Sequence, residues 1–470
     1  MLERILSFSI EHRVLVVLLT LAVAVLGAWS FQRLPIDAVP DITNNQVQIN
    51  TLFPAFSPVE IEKQVTLPVE MALAGIPKLQ LTRSISRNGF SQVQAVFADG
   101  VNIYFARQQV AERLGEAGES LPNGAEPRMG PIATGLGEVY QWTVQYAHPD
   151  GKGATIVDGQ PGWQSDGTYR TPEGRRLRTE VERASYLREV QDWIIRPQLK
   201  GVKDVAGVDA IGGYVKQYQV QPDPMKLVSY GLTFTDLIQA LEKNNISAGA
   251  GYVEKKGESY LVRLAGRLEN ERQIAEVVVG TRKGTPLHVS DVAAVKVGGE
   301  LRTGSASEDG HEAVVGTALM LIGANSRTVA ADVAAEMAKV RKTLPPDILA
   351  KTVLNRTKLV DATIRTVRHN LTEGAILVMV VLFLFLGNFR AALITALAIP
   401  LAMLIAVTGM VQFNISGNLM SLGAIDFGLI VDGAVIIVEN CLRVLAEKQR
   451  ELGRNLSLKE RLDAVLHAST

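Results

Sequence analysis

The sequence holds one cysteine, Cys441, in 470 residues, so no internal disulfide can staple it. It must hold together by packing alone. The six histidines show neither H-x-H nor H-x-x-x-H spacing and there is no C-x-x-C, so no local metal-binding motif exists. Lys and Arg total 48 against 48 Asp and Glu, and no nucleic-acid partner is expected from that balance. The glycines at Gly249 and Gly251 have neither a buried strand before them nor a Lys-Ser/Thr pair after them, which argues against a phosphate-cradling loop. No cofactor is expected.

What the chain does have is segregated charge. A content of 47% hydrophobic and 20% charged residues is too polar for a chain that is all membrane and too apolar for an average soluble one. No charge occurs over residues 14–32, 374–389 or 391–425. The last run is too long for one crossing and is interrupted by Asn414, Ser416, Gly417 and Asn418, which reads as a helix, a turn and the start of another helix. Four crossings follow. Pro400 is expected to kink the third.

The fourth crossing, within residues 420–441, carries Asp426, Asp432 and Glu439. A carboxylate near the bilayer centre costs roughly 2.5 to 3.5 kcal/mol on insertion scales, so three in one span require a reason. Proton or cation translocation supplies one. On a helix Asp432 and Glu439 fall about 20° apart, while Asp426 is displaced by about 120°. Ala424, Gly428 and Gly433 would let another helix approach closely, turning the acids toward a bundle interior. The alternative, a buried helix of a soluble protein, fits poorly with the uncharged runs beside it.

Arg4 and Arg13 precede the first crossing, Arg390 sits between the second and third, and Arg443, Lys448, Arg450 and Arg454 follow the fourth. These sets share one side, which by the positive-inside rule is cytoplasmic. Residues from about 33 to 369 then form one large external domain. A cleaved signal peptide is the alternative for the N-terminal run, although no A-x-A site follows it.

The external pattern is α+β. Residues 46–52 alternate as a strand does, 58–73 have helical spacing, 79–85 and 91–97 are strand-like, and 103–114 are helical. A second unit starts with the strand EVYQWTVQY at Glu138 and continues with a helix over 186–199. The stretches GIPKLQLTRSIS at Gly75 and GVKDVAGVDAIG at Gly201 each follow a helix, which implies two related ferredoxin-like units. Residues 148–182, rich in Gly, Asp, Arg and Thr, read as a solvated loop or hairpin, with His148 and Asp150 as candidate cation ligands. Further on come a strand over 214–220, a helix over 234–243 and an extended hairpin over 244–263, whose loop calls for positive φ at Gly249 and Gly251.

Five segments in order, SPVEIEKQVTLPVEMALAGIP, RSISRNGFSQVQAVFADGVNIYFARQQVAERL, GGYVKQYQVQPDP with YGLT, LFLFLGNFRAALITALAIPLAM and GAIDFGLIVDGAVIIVENC, carry a family resemblance. The chain resembles the N-terminal half of heavy-metal efflux pumps of the resistance-nodulation-division superfamily, the cobalt-zinc-cadmium type in particular. The resemblance implies a mixed membrane protein: residues 1–32 hold the first of four transmembrane helices and 370–441 the other three, with 442–470 cytoplasmic. It implies a large α+β periplasmic domain of ferredoxin-like porter subdomains, 33–130 for the first and 131–207 with 300–369 for the second, and a docking subdomain inserted at 208–299. Proton coupling is carried over to Asp426, Asp432 and Glu439, and the metal-binding residues are not assigned. The implied setting is the inner membrane, as a homotrimer with a periplasmic adaptor and an outer-membrane channel, moving protons one way and zinc, cobalt, cadmium or nickel the other. The 148–182 insertion is longer than the resemblance implies. The chain stops at Thr470 where such pumps continue, so it is expected to be half of a pump, without enzymatic activity. Two other readings are a multidrug pump of the same superfamily and a membrane-bound sensor with an external ligand domain. A kinase is excluded, because D-F-G lies in an apolar span and no H-R-D exists.

Overall fold

A computed structural model describes residues 2–34, 43–282, 284–302, 304–386, 388–413, 415, 417 and 427–469. The first α+β unit runs strand Gln46–Leu52, a helix over 58–73, strands Leu79–Arg87 and Phe90–Phe97, helix Ile103–Ala117 and strand Glu126–Met129. The first strand buries Val47, Ile49 and Thr51 on alternate positions and lies between the third and fourth strands, both antiparallel to it. Asn102 caps the second helix through a bond from the Tyr104 N–H, and its Ala106, Val110 and Leu114 face the sheet.

The second unit repeats this order with two insertions. Its strands are Glu138–Tyr146, Val205–Ile211, His311–Met320 and Ile348–Asn355, and its helices span 180–200 and Ser326–Val340. In both units the third strand pairs with the second and the first, and the first also pairs with the fourth, all antiparallel. A short strand, Ala306–Glu308, adds to the second sheet. Its centre is Trp142, fully buried, whose indole Nε1 donates to Gln191 Oε1 at 2.8 Å. Gly316 stands opposite, where any side chain would collide with that indole.

Both first helices contain one wide turn. Over Glu62–Thr66 and Val190–Ile195 the backbone bonds reach five residues back, and each turn ends two residues before a proline, Pro68 and Pro197. Proline has no N–H to continue the regular ladder, and the wide turn accommodates the loss. The second of these helices begins at Glu180, six residues before the expected start. A capping box between Thr179 and Glu182 fixes that end.

Residues 148–182 are more ordered than a solvated loop. Three two-residue strands place Trp163 opposite Tyr169 and Tyr169 opposite Leu177, and all three side chains are buried. Their rings meet Tyr146 of the sheet, with centroids 5.4 Å away for Trp163 and 5.0 Å for Tyr169. Burial pushes the Tyr146 hydroxyl well above the usual phenol range, so it remains a neutral donor to Arg183 O at 3.3 Å. Asp347 closes the contact: Oδ2 accepts Trp163 Nε1 at 2.7 Å and Oδ1 lies 2.5 Å from His148 Nδ1. Asp150 pairs instead with Arg183 at 3.4 Å, so His148 and Asp150 serve different partners and do not converge on a cation.

The second insertion, between Ile211 and Ala306, has its own small core around Leu227, Leu237, Val289 and Val292. It pairs strand Lys216–Pro222 with Ala293–Gly299 and projects the hairpin Ser247–Lys255 with Glu258–Ala265. The hairpin turns at Lys256 and Gly257, both at positive φ, and not at the earlier glycines. Gly251 has positive φ within a register shift of the strand, and Gly249 does not.

Four long helices complete the fold: Arg13–Arg33, Arg356–Leu386, Phe389–Gln412 and Phe427–Leu452. Among the described residues the first and third are long and apolar enough to cross a membrane. The second begins polar and becomes apolar, and the fourth carries its acids and a charged last third. The third runs through Pro400 without interruption. Asn414, Ser416 and Asn418 of the expected turn lie outside the described residues.

Trp163→Ala removes the ring that fastens the first insertion, a loss of about 3–5 kcal/mol for a buried Trp. Limited trypsin digestion is expected to cut the variant at Arg170 or Arg175 while leaving the wild type intact, with the sheet itself still folded by circular dichroism. Equal resistance in both would show that the segment is held by something else.

Candidate functional site

The acidic helix is the candidate. Phe427–Leu452 is one unbroken helix of 26 residues, so positions 432 and 439 stand two turns apart and about 20° around it. Asp426 and Ala424 lie outside the described residues. Glu439 is exposed. Gly428 is the helix's second residue, and a Cβ added at Gly433 would meet no atom within 4 Å.

The neighbours are helix Phe389–Gln412 and, reached from mid-helix, helix Leu458–Ser469. The latter contact is polar and specific. Asn440 Nδ2 donates to Ala468 O at 2.6 Å, and Cys441 Sγ lies 3.5 Å from Ser469 Oγ. Asn440 Oδ1 accepts from Arg443 Nη2 at 2.9 Å, so a single amide next to Glu439 joins its own helix to the returning one. At the bend, Arg454 holds Glu460 in a two-pronged pair at 2.7 and 3.0 Å. That pair, helped by the Ser457 N–H, lowers the Glu460 carboxyl to about 2. A depressed value means the pair contributes above the ordinary carboxylate range and is lost only as pH falls through about 2. Over the physiological range the Arg454–Glu460 pair therefore stays charged.

Helix Phe389–Gln412 is itself held against Arg13–Arg33 at one close point. A Cβ on Gly27 would come within 2.5 Å of Leu404 Cβ and 3.0 Å of its carbonyl oxygen. Gly27 and Ser30 are buried, whereas Leu18, Leu19 and Val25 of the same helix are exposed. At the end of this seam Leu34, Val360, Val407 and Met410 form a small core joining three of the long helices. The sequence reading placed close packing at Gly428 and Gly433 and missed Gly27. The available signal was the spacing of Ala24, Gly27 and Ser30, small residues three apart in a run of Leu and Val. Among the described residues no group of three or more His, Cys, Asp or Glu is placed to hold a metal ion.

Comparisons with known proteins agree on one relationship. Residues 5–466 match the AcrB/AcrD/AcrF family. The chain is 56% identical over 469 residues to the nickel and cobalt resistance protein of Cupriavidus metallidurans, covering all of this chain and 44% of that one. It is 52% identical over 469 residues to the cobalt-zinc-cadmium resistance protein of the same organism, with 42% of that protein covered. A cation efflux system protein of Escherichia coli K12 is 33% identical over 455 residues, 96% of this chain and 40% of that one. Among solved structures, the crystal structure of a heavy metal efflux pump superposes with a TM-score of 0.77 at 30% identity, over 95% of this chain and 43% of the pump. The chain thus spans less than half the length of the proteins it matches.

The seam at Gly27 predicts opposite signs for two similar substitutions. Gly27→Ala forces Leu404 aside and is expected to lower the thermal midpoint of the purified protein, an overpacking cost of about 1–3 kcal/mol. Gly409→Ala, where an added Cβ meets nothing within 4 Å, is expected to be neutral or to raise it, because alanine is the better helix former. Equal midpoints for the two variants would remove the seam from the account.

Proposed function

Since the chain belongs to the AcrB/AcrD/AcrF family, we propose that it is the N-terminal half of a heavy-metal efflux pump that exports divalent cations in exchange for protons. The observation that carries the reading is the unbroken helix bearing Asp432 and Glu439 at the end of long apolar runs, in a chain more than half identical to proteins named for nickel, cobalt, zinc and cadmium resistance. The lower identity to the E. coli cation efflux protein sets this chain nearer the proteins named for nickel, cobalt, zinc and cadmium resistance.

In this reading the four long helices are the first four spans of an inner-membrane protein, and the two repeated units are ferredoxin-like porter subdomains in the periplasm. The region between them and its hairpin form the docking subdomain. Tyr252, Val253, Tyr260 and Leu261 of that hairpin are exposed, and an isolated two-stranded ribbon is marginal in water, which supports a homotrimer in which a neighbouring subunit covers it. A periplasmic adaptor and an outer-membrane channel complete the route. The exposed side of the helix at Glu439 is where the second half of the pump would pack and supply a counter-charge to the acids.

The coupling follows from electrostatics. A carboxylate in a low-dielectric bundle is costly when ionised, and a proton arriving from the periplasm removes that cost. The two charge states favour different packings against the neighbouring helices, so each protonation cycle shifts the bundle between two arrangements. Strand Ile348–Asn355 leads directly into helix Arg356–Leu386, which gives the bundle a rigid handle on the second porter unit. Alternation of the porter units then drives the cation outward. Asp426 and Asp432 are the principal proton carriers, and Glu439, nearer the charged end, is the proton exit.

Two measurements test this. Alkaline phosphatase fused at Gly151 is expected to be active and fused at Arg454 inactive, and the reverse would overturn the orientation. In a chain completed by its second half, Asp432→Asn is expected to insert as well as wild type but to abolish growth on zinc, cobalt or nickel, with Glu439→Gln giving a partial loss. Full metal resistance in the Asp432→Asn pump would sink the coupling scheme.

A further inference from the structure

The helix Arg356–Leu386 changes character once. Up to Glu373 it carries Arg365, Arg368 and His369, and from Gly374 to its end no residue is charged. In the orientation proposed above this boundary lies at the outer membrane surface, the side where the positive-inside rule expects few basic residues. Three bases within five positions there need a physical reason.

A cavity of about 590 Å³ opens at the boundary, and Arg365, Thr366, His369 and Thr372 line it. Steps of one, four and seven residues place these four along one side of the helix. Among the described residues no carboxylate pairs with Arg365. His369 Nε2 lies 3.1 Å from Glu373 Oε1, with the two side chains 68% and 66% exposed, so that pair is weak and open to exchange. The Thr366 hydroxyl donates to Ala362 O at 3.0 Å and can rotate outward to a better acceptor. The result is a concave, cationic seat with hydroxyls at its rim, at the depth where a helix passes from water into hydrocarbon.

We propose that this seat binds the phosphate of an anionic phospholipid in the outer leaflet, with Arg365 as the principal contact. A guanidinium presents two parallel N–H donors that match phosphate oxygens, and at the membrane surface that pairing is less diluted by water than in solution. The acyl chains of the same lipid would lie along the apolar continuation of the helix from Gly374 onward. Both ends of one ligand are thus accounted for by one helix. The bound lipid fixes the depth of the helix that joins the porter unit to the membrane. This inference rests on the membrane reading given above.

The test uses the full chain purified in detergent, exposed separately to phosphatidylglycerol, phosphatidylcholine and inorganic phosphate, and weighed by native mass spectrometry. Phosphatidylglycerol is expected to be retained in preference to phosphatidylcholine and not to be displaced by millimolar inorganic phosphate. Arg365→Gln is expected to lower retention about fivefold, the equivalent of roughly 1 kcal/mol per basic group at an anionic surface, and Arg365→Lys to keep part of it. His369→Gln, expected to lower retention less, provides a second readout if the arginine variant inserts poorly. Equal retention by wild type and both variants, equal retention of the two lipids, or displacement by inorganic phosphate would each overturn the proposal. Flotation with phosphatidylcholine vesicles reports insertion independently. A chain that floats without an Arg365-dependent preference overturns the lipid seat alone, whereas one that does not float overturns the membrane reading with it.

Discussion

The pairing of strand Glu138–Tyr146 with His311–Met320 is the constraint on which the α+β region depends. Everything between Tyr146 and His311, including two inserted regions, is a loop closed by that ladder. Closure entropy grows only with the logarithm of loop length, so large insertions add little to a cost already met. The fold tolerates them where the strand ends are fixed by something stronger. Trp142 provides it: packed against Gly316 and bonded to Gln191, it ties both central strands to the first helix of the unit. Leaving the Trp142 N–H without a partner in this interior would cost about 1–3 kcal/mol, so the three residues hold one another in place.

The same economy explains how the membrane part is attached. Strand Ile348–Asn355 is paired on one edge with Glu138–Tyr146 and continues into helix Arg356–Leu386. Arg356 Nη1 donates to Leu136 O at 2.5 Å across this junction, fastening the start of the helix to the loop before the central strand. Glu308, from the added short strand, holds both Thr143 and Lys351, and these bonds keep its carboxyl below the usual range. Three elements distant in sequence therefore meet where the sheet hands over to the helix. No linker separates the strand from the helix, so the two are joined rigidly.

Much of this was legible where one physical signal dominated. The strand Gln46–Leu52 is legible from alternation, because Val47, Ile49 and Thr51 are buried and the residues between them are not, whereas Glu138–Tyr146 is buried on both faces, at Val139 and Thr143 as well as at Tyr140 and Trp142, so alternation does not mark it. The helix over 58–73 was read from its spacing in spite of Pro68. The first insertion is legible as a hairpin but its burial is not, because its three anchoring side chains, Trp163, Tyr169 and Leu177, are separated by turns of Gly, Asp and Thr and dilute to nothing in any window average. Cross-strand pairing collects them on one face, a non-local fact. The hairpin turns at Lys256 and Gly257 rather than at Gly249 and Gly251, a position that composition does not flag because lysine seldom takes the positive φ such a turn requires. Asp432 and Glu439 could be placed from sequence because helical geometry is local. The clamp of Asn440 on Ala468 could not, since a single polar residue near a helix end says nothing about which carbonyl it will reach.

The wide turns before Pro68 and Pro197 set where the far end of each first helix points its side chains. A turn of five residues in place of four rotates every side chain beyond it by about 100° about the axis. Buried Leu73 in one unit and buried Leu199 in the other follow such a turn, and each reaches its core only in that rotated setting. The irregularity that proline forces on the backbone is thus also what aims the last turns of both helices.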